Sequence, residues 1–224
     1  MDWRFNTIWF EQLNQETLVE IDYKEKSFDN NVDVKKIEYA NIWHLNEKNN
    51  SLENLKEFEN LLFLSLNSSN VRNMQVVENF KNLKRLELHY CVKLENDFGI
   101  INNESSLEFL HINMSKKFVF SDELLKLKNL KVLCLNDCAE IENLDFLKNF
   151  PKLIDFRFVD TKIKNGNLDI LLEHPTLKSV GFIDKKNYNY KCNEINQQLK
   201  SRFKENYMTY VQKGEYETFR YNFD

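Results

Sequence analysis

The sequence contains few of the residues that build catalytic loops. Of 224 residues, 4 are glycine and 2 are proline, which leaves little material for a glycine-rich loop that holds phosphates. The motifs G-x-S-x-G, G-x-G-x-x-G and H-E-x-x-H and the phosphate-binding P-loop do not occur. We therefore predict that the chain is not an enzyme and that it uses no cofactor.

Excess positive charge and long apolar runs are also lacking. The formal net charge is -4, so no basic field is present to attract nucleic acid. The longest aliphatic and aromatic run is Leu61 to Leu64, far short of a membrane span. The first residues, MDWRFNTIWFEQLNQ, carry neither a basic head nor an apolar stretch with a cleavage site. We expect a cytoplasmic protein that binds neither nucleic acid nor membrane.

The 4 cysteines lack the spacing of a zinc finger or a redox pair. No C-x-x-C pair occurs, and Cys134 and Cys138 are separated by three residues. The pattern favours free thiols in a reducing compartment.

One phrase, L-x-x-L-x-L, recurs six times, with other apolar residues at the fourth or sixth place in some copies. The copies begin 22 to 24 residues apart, at Leu61, Leu83, Leu107, Leu130, Leu153 and Leu177. A degenerate seventh copy, Val34-x-x-Ile37-x-Tyr39, precedes them. The ninth place of the first five copies holds a small side chain that can satisfy backbone groups where the chain turns inward. These residues are Ser69, Cys91, Ser115, Cys138 and Thr161.

This pattern resembles the leucine-rich repeat family over residues 34–185. The resemblance implies an α/β leucine-rich repeat solenoid, a horseshoe arc with a parallel β-sheet on its concave side and mixed helical and irregular returns on its convex side. It also implies binding rather than catalysis.

A solenoid needs caps at both ends, because its terminal units otherwise expose apolar edges. We predict an N-terminal cap over residues 1–33, with strands at 3–9 and 18–23. A C-terminal cap over residues 186–224 combines a helix at 193–204 with a hairpin within 209–223. Ser51 is predicted to begin a short helix in one return segment.

Strand alternation predicts which side chains reach a partner. The third, fifth and seventh places of each repeat point to the concave face, where Arg85 lies between two phenylalanines. Such a cluster is typical of a binding hot spot; alternatively, the arginine stacks between the rings and shields them. We expect substitutions here to leave thermal stability unchanged, and Cys134 in the same face to be exposed. The predicted concave contacts are Phe63, Arg85, Glu87, His89, Phe109, His111 and Arg157.

The eighth place of each repeat lies at a rim, for which we predict further contacts at Tyr90, Asp137, Asp160 and Asp184. Stacked aspartates there can attract a basic partner; alternatively, they are solvated or pair with Arg157 and Lys185. The tyrosines of the C-terminal cap are either part of that cap or additional contacts. They are Tyr207, Tyr210, Tyr216 and Tyr221.

Three soft ligands fall on neighbouring predicted strands, namely His89, His111 and Cys134. No fourth ligand and no supporting shell is evident. We therefore predict no metal site.

The predicted function is non-catalytic binding of a protein partner. The bias towards Asn and Lys hints at a low-GC bacterial source. The ending from His174 resembles C-terminal caps of small bacterial repeat proteins, some of them associated with toxins, which implies an immunity or antitoxin protein that blocks a basic toxin domain. A scaffold, an adaptor or a host-directed effector is the alternative, and an enzyme with a site in a cap is the third possibility. All of these readings rest on analogy.

Overall fold

A computed structural model describes residues 1–25, 33–46, 55, 57–203 and 206–223. Within these residues, eight strands form one parallel sheet in chain order, and two more form an antiparallel hairpin. The parallel strands are β1 Leu18–Asp22, β2 Tyr39–Trp43, β3 Phe63–Asn67, β4 Arg85–His89, β5 Phe109–Asn113, β6 Val132–Asn136, β7 Asp155–Arg157 and β8 Ser179–Gly181. The hairpin strands are β9 Met208–Lys213 and β10 Tyr216–Tyr221.

The repeat phrase determines how the strands align. Each fourth-place residue faces its counterpart in the next strand, and these side chains form a buried column inside the solenoid. The column is Leu64, Leu86, Leu110, Leu133 and Phe156. Because no single repeat can bury such a residue alone, the column requires the repeats to stack. The predicted leucine-rich repeat solenoid with a parallel sheet is confirmed.

The return segments are short and only partly helical. The described α-helices are α1 Asp169–Glu173 and α2 Cys192–Arg202, and the described 3₁₀ helices are Phe10–Gln12, Val34–Lys36, Gln75–Val77, Ile100–Asn103, Leu124–Lys126 and Asp145–Asn149. The helix predicted at Ser51 lies outside the described residues, as does the predicted last residue of α2, Lys204.

Two ninth-place residues, Thr161 and Ser69, satisfy the turns as the sequence predicts, whereas the buried Oγ of Ser115 has no hydrogen-bond partner among the described residues. Thr161 accepts a hydrogen bond from the backbone N–H of Cys138 at 2.9 Å and donates one to the carbonyl of Leu135 at 2.7 Å. Ser69 accepts the N–H of Leu45 in the preceding repeat at 3.1 Å and donates to the carbonyl of Asn67 in its own repeat at 3.1 Å. Each of these two side chains therefore connects its repeat to the preceding one by a hydrogen bond.

The register of the first repeat differs from the prediction. Tyr39 pairs with Phe63 and so occupies the third place of its repeat, not the sixth. The phrase thus begins at Ile37, which is 24 residues before Leu61. Its fourth place is Ala40, whose small side chain hid the pattern although it is fully buried. Strand β1, predicted as part of the N-terminal cap, pairs in register with β2 and extends the same sheet.

The two chain ends meet in front of the sheet, where they form what we call the terminal clasp (residues 1–13 and 206–223). The predicted strand over residues 3–9 is reduced to one antiparallel bridge between Phe5 and Arg220. The N–H of Asn6 donates to the carbonyl of Phe219 at 2.8 Å, and Arg220 pairs with Asp2 at 3.1 Å. The N-terminal segment therefore lies along the free edge of β10.

The face of the sheet that carries the third, fifth and seventh places is what we call the concave face. The terminal clasp covers it in part, and its third-place residues from β2 to β8 are all buried. On one side, Tyr221 packs with Phe109, Val132 and Cys134 in a separate apolar cluster. On the other side, Leu13 of the N-terminal segment packs with third-place rings of β2 and β3. The protein thus has a second apolar layer that the repeat pattern does not reveal.

A buried hydrogen bond fixes the hairpin to the sheet. The Tyr221 hydroxyl donates to Oδ2 of Asp155 at 2.6 Å, and both side chains are fully buried. Burial, followed by the neighbouring Asp155 charge, raises the pKa of Tyr221 well above its ordinary value. The phenol therefore stays protonated and remains a donor to the carboxylate.

We predict that Tyr221→Phe lowers the free energy of unfolding by about 1–3 kcal/mol, because it leaves a buried carboxylate with one donor fewer. Urea unfolding measures the change. The matched control is Tyr216→Phe in the same hairpin, where the side chain is 70% exposed and the change should stay within about 0.5 kcal/mol. Equal midpoints for the two variants would contradict the role of the Tyr221 hydroxyl.

Candidate protein-binding surface

The centre of the predicted concave patch is not exposed. Phe63 and Phe109 are buried, and Arg85 is 2% exposed. The Arg85 guanidinium carbon lies 3.8 Å from the centre of the Phe109 ring and 5.6 Å from that of Phe63. The expectation that these three residues face solvent is wrong, because the terminal clasp covers them. The alternative interpretation, an arginine stacked between two rings, describes the observed contact.

Hydrogen bonds occupy the whole Arg85 guanidinium. It donates to the backbone carbonyls of Trp3 at 2.9 Å and Asn6 at 3.0 Å, and also to that of Phe5. Its Nε and Nη2 donate to Oε1 of Glu87. A guanidinium has five N–H donors, and these contacts use them all. Arg85 therefore ties the N-terminal segment to β4 and has no donor left for a partner.

Glu87 balances the buried charge of Arg85. Burial by itself raises the pKa of the Glu87 carboxyl, but the Arg85 charge and a hydrogen bond from His89 outweigh it and hold the pKa well below its usual range. Glu87 is thus ionised at neutral pH. The ion pair of Arg85 and Glu87 therefore helps to hold the N-terminal segment over the concave face.

Arg157 is held by its own neighbours. Its guanidinium pairs with the fully buried Asp155 at 3.0 Å, and this charge raises the pKa of Arg157. Gly181 lies opposite in β8, where an added Cβ would come within 3.2 Å of Cγ of Arg157. Arg157 therefore pairs with Asp155. The pairing with the rim aspartates that the sequence suggested as an alternative does not form among the described residues.

Cys134 was expected to be exposed, but this expectation is wrong. The side chain is 4% exposed and packs in the cluster under Tyr221. Burial raises the pKa of its thiol. Cys134 is therefore part of the core beneath the hairpin and is not an accessible thiol.

One part of the concave face stays open beside the terminal clasp. A cavity of about 300 Å³ lies there, lined by residues of the N-terminal segment and of β2 to β5. Its floor is polar: Asn67 donates to Asn41 at 2.8 Å, and Glu87 Oε2 lies 3.0 Å from His89 Nε2. The rings of His89 and His111 meet edge to face with centres 4.8 Å apart. Of the predicted concave residues, the structure thus brings Glu87, His89 and His111 together in a place that solvent reaches.

His111 is uncharged in this setting. Burial lowers its pKa to about 4, although the charge of Glu87 partly opposes the shift. Nδ2 of Asn136 lies 3.1 Å from Nε2 of His111, while Oδ1 of Asn136 accepts the N–H of Val159. That second bond fixes the amide orientation, so Nε2 of His111 is the acceptor.

The eighth place of each repeat has a distinctive backbone. From β2 to β7 this residue adopts a positive φ of 47° to 58° while its N–H, where it is bonded, continues the ladder to the next strand. The conformation turns each side chain out of the sheet, beyond the end of the strand. The residues are His44, Ser68, Tyr90, Met114, Asp137 and Asp160.

These residues, with those at the seventh place, form a surface that we call the exit rim. Its exposed apolar side chains are Trp43, Tyr90, Met114, Val159 and Ile183. Asp137 and Asp160 add negative charge, although Asp137 lies 3.5 Å from Lys116. Asp184 instead accepts the N–H of Cys192 at 2.8 Å and so supports the start of α2. The sequence assigned Tyr90 and the aspartates to this rim but missed its apolar character.

The sequence contained a signal for two of the apolar rim residues, Tyr90 and Met114: a bulky side chain at the eighth place, where the backbone is left-handed. The left-handed conformation suits Gly, Asn and Asp and is unfavourable for bulky side chains. Tyr90 and Met114 adopt it and yet are 50% and 36% exposed. Neither backbone preference nor burial accounts for a large apolar side chain at these two places.

Comparisons with known proteins add little to this description. Neither a protein-family model nor a curated protein sequence matches the chain. Internalin C2 from Listeria monocytogenes strain 4b F2365 is 17% identical, with a TM-score of 0.44, over 66% of this chain and 72% of that one. Internalin F from the same strain is 14% identical, with a TM-score of 0.34, over 69% of this chain and 58% of that one. Similarity this distant carries no functional argument, and the fold assignment rests on the repeats and the sheet.

No helix among the described residues has the length and apolar character needed to cross a membrane.

We predict that Arg85→Ala destabilises the protein by about 3–5 kcal/mol, because Glu87 is left buried without its partner and three backbone carbonyls lose their donor. Thermal and urea unfolding measure this loss. Arg72→Ala is the matched control: Arg72 pairs with Glu95 on the surface, with a side chain 58% exposed, so its loss should cost less than about 1 kcal/mol. A wild-type midpoint for Arg85→Ala would show that the terminal clasp does not depend on this residue.

We also predict acid sensitivity from His111. The folded state keeps this imidazole neutral to about pH 4, whereas the unfolded chain takes up a proton near pH 6.5, so stability falls as pH drops between these values. From pH 7 to pH 5 the wild type should lose roughly 1–2 kcal/mol more than His111→Gln. Urea unfolding at both pH values, with a chelator present, gives the difference. Equal losses in the two proteins would contradict the assignment.

Proposed function

We propose that this chain is a non-catalytic protein-binding module and that its partner docks on the exit rim. The observation that carries the proposal is the pair Tyr90 and Met114, which are large, apolar, exposed and held in a backbone conformation that disfavours them. Because Tyr90 is 50% and Met114 36% exposed, folding gains less from each of them than from a fully buried apolar side chain. Binding of a partner explains why these two side chains are present, because tyrosine and methionine are enriched in interface cores.

The size of the exit rim supports a protein partner. It follows seven strands, from β2 to β8, which at about 4.8 Å per strand gives a length of roughly 30 Å. A standard interface buries about 800 Å² on each side, and a ridge of this length with five exposed apolar side chains suits it. The covered concave face, in contrast, offers a partner no access to Phe63, Arg85 or Phe109.

The charge of the exit rim supports a basic partner. Asp137 and Asp160 stand beside the apolar side chains, and the whole chain carries a net charge of -4. Opposite charge on a partner would speed encounter and set its register more than it would raise affinity.

Within this class we propose an immunity role, in which the rim blocks a basic toxin domain. The acidic rim supports it. All four cysteines are free thiols, which fits the cytoplasmic setting that an immunity protein of this kind would need. A scaffold or effector role is the alternative. Co-expression separates the two: an immunity protein rescues growth of cells that make its toxin, and a scaffold does not.

We predict that Tyr90→Asn combined with Met114→Asn weakens partner binding by about 30-fold or more, equivalent to one hot spot of about 2 kcal/mol. The same variant should keep or raise the thermal midpoint, because asparagine tolerates the left-handed conformation. The experiment first identifies proteins retained by the wild type and lost by the variant. It then measures the affinity of the purified partner by calorimetry.

Tyr216→Asn is the control for this prediction, since Tyr216 is exposed on the hairpin, away from the exit rim. It should bind like the wild type. If Tyr216→Asn loses the partner while the rim variant retains it, the aromatic hairpin is the interface and the rim proposal fails.

A further inference from the structure

We propose that Glu87, His89 and His111 form a site for one divalent transition-metal ion, for which zinc is the best match. One donor atom from each residue lies within 4.8 Å of the other two. No other group of three such residues meets this condition in the described part of the chain. Two imidazoles and one carboxylate are a ligand set that binds zinc in proteins. This inference does not depend on the proposed docking surface. It replaces the sequence-based prediction of no metal site, which considered Cys134 and not Glu87 as the third ligand.

The distances suit a metal centre. Zinc bonds of about 2.0–2.1 Å in a tetrahedral arrangement place ligand atoms roughly 3.3 Å apart. Glu87 Oε2 and His89 Nε2 are already 3.0 Å apart. Since an ionised carboxylate only accepts, the hydrogen between them belongs to His89, and a metal ion would take its place. The three donor atoms lie within 4.8 Å of one another, so His111 must then approach by up to about 1.5 Å through a rotation of its side chain.

The sheet holds the three ligands in position. Glu87 and His111 are directly paired across β4 and β5, and His89 follows Glu87 two residues later on the same face. The parallel ladder fixes the spacing of their backbones. Arg85 holds Oε1 of Glu87, which leaves Oε2 directed towards the histidines. Ligands carried by strands are held more precisely than ligands carried by loops.

Metal binding would break the hydrogen bond between Asn136 and His111, which lowers the expected affinity. Its amide donates to Nε2 of His111, so this nitrogen presents a lone pair. An ion at Nε2 would replace the amide as its partner. This exchange, and the single anionic ligand, argue for an affinity nearer to about 1 µM than to that of a closed structural zinc site.

The fourth position of the ion would remain open. The cavity of about 300 Å³ adjoins all three ligands and is lined on its far side by Asn6, Thr7 and Ile8. Such a volume holds several water molecules. The site therefore has the form of a three-ligand centre with a water-filled position, not that of a closed structural site. The alternative explanation is that the three side chains only satisfy one another.

Metal titration distinguishes the two explanations. Untagged, chelator-stripped protein is titrated with Zn²⁺ by calorimetry and with Co²⁺ as a visible-absorption probe. The proposal expects one ion per chain and cobalt bands typical of four-coordinate nitrogen and oxygen ligands. His89→Gln and His111→Gln should each weaken binding by more than the roughly 10–100-fold that loss of an outer-shell partner costs. Thermal midpoints of the metal-free variants verify that they are folded.

His44→Gln is the matched control. Nδ1 of His44 lies 2.8 Å from Oδ1 of Asp22. This histidine–carboxylate pair belongs to no group of three potential ligands among the described residues. This variant should bind one ion with wild-type affinity. The proposal is overturned if the wild type binds no ion at micromolar concentrations, if His89→Gln and His111→Gln bind as tightly as the wild type, or if His44→Gln loses the ion equally.

Discussion

The buried guanidinium of Arg85 is the interaction on which the closed form of this protein depends. It lies between two aromatic rings and donates all of its hydrogens to the N-terminal segment and to Glu87. A charge placed there without these partners would be strongly unfavourable. The residue therefore requires the terminal clasp, and the terminal clasp in turn requires the residue. The hydrogen bond from Tyr221 to Asp155 likewise fixes the C-terminal hairpin to β7 of the sheet.

This closure covers the place where leucine-rich repeats are expected to bind, which is why the proposed docking surface lies elsewhere. Because both chain ends cover the concave face, its aromatic residues Phe63 and Phe109 are part of the core. On this side of the sheet, the described residues that stay accessible include the exit rim and one polar cavity. The rim carries the apolar side chains that folding does not explain, and the cavity carries the histidines and carboxylate that face one another. The two features lie next to each other, because Tyr90 directly follows His89 in the chain.

The repeat pattern predicted much of the local structure. The spacing of the leucines predicted the strands, their parallel order and the inward column, and the ninth-place residues Ser69 and Thr161 form the hydrogen bonds expected of them. The prediction failed where a repeat was degenerate: Ala40 replaces a leucine, and this shifted the assumed register of β2 by three residues. It also failed at Cys134, since alternation indicates which face a side chain occupies but not whether something covers that face.

The sequence by itself determined the solenoid, because its leucines, spaced 22 to 24 residues apart, can be buried only by stacking. Only the tertiary structure decided which surface is free. The contacts between the clasp and the sheet join residues about 80 positions apart at Arg85 and 66 positions apart at Tyr221. No local period encodes such contacts. They arise from the fit of aromatic and charged side chains that come together once the repeats have stacked.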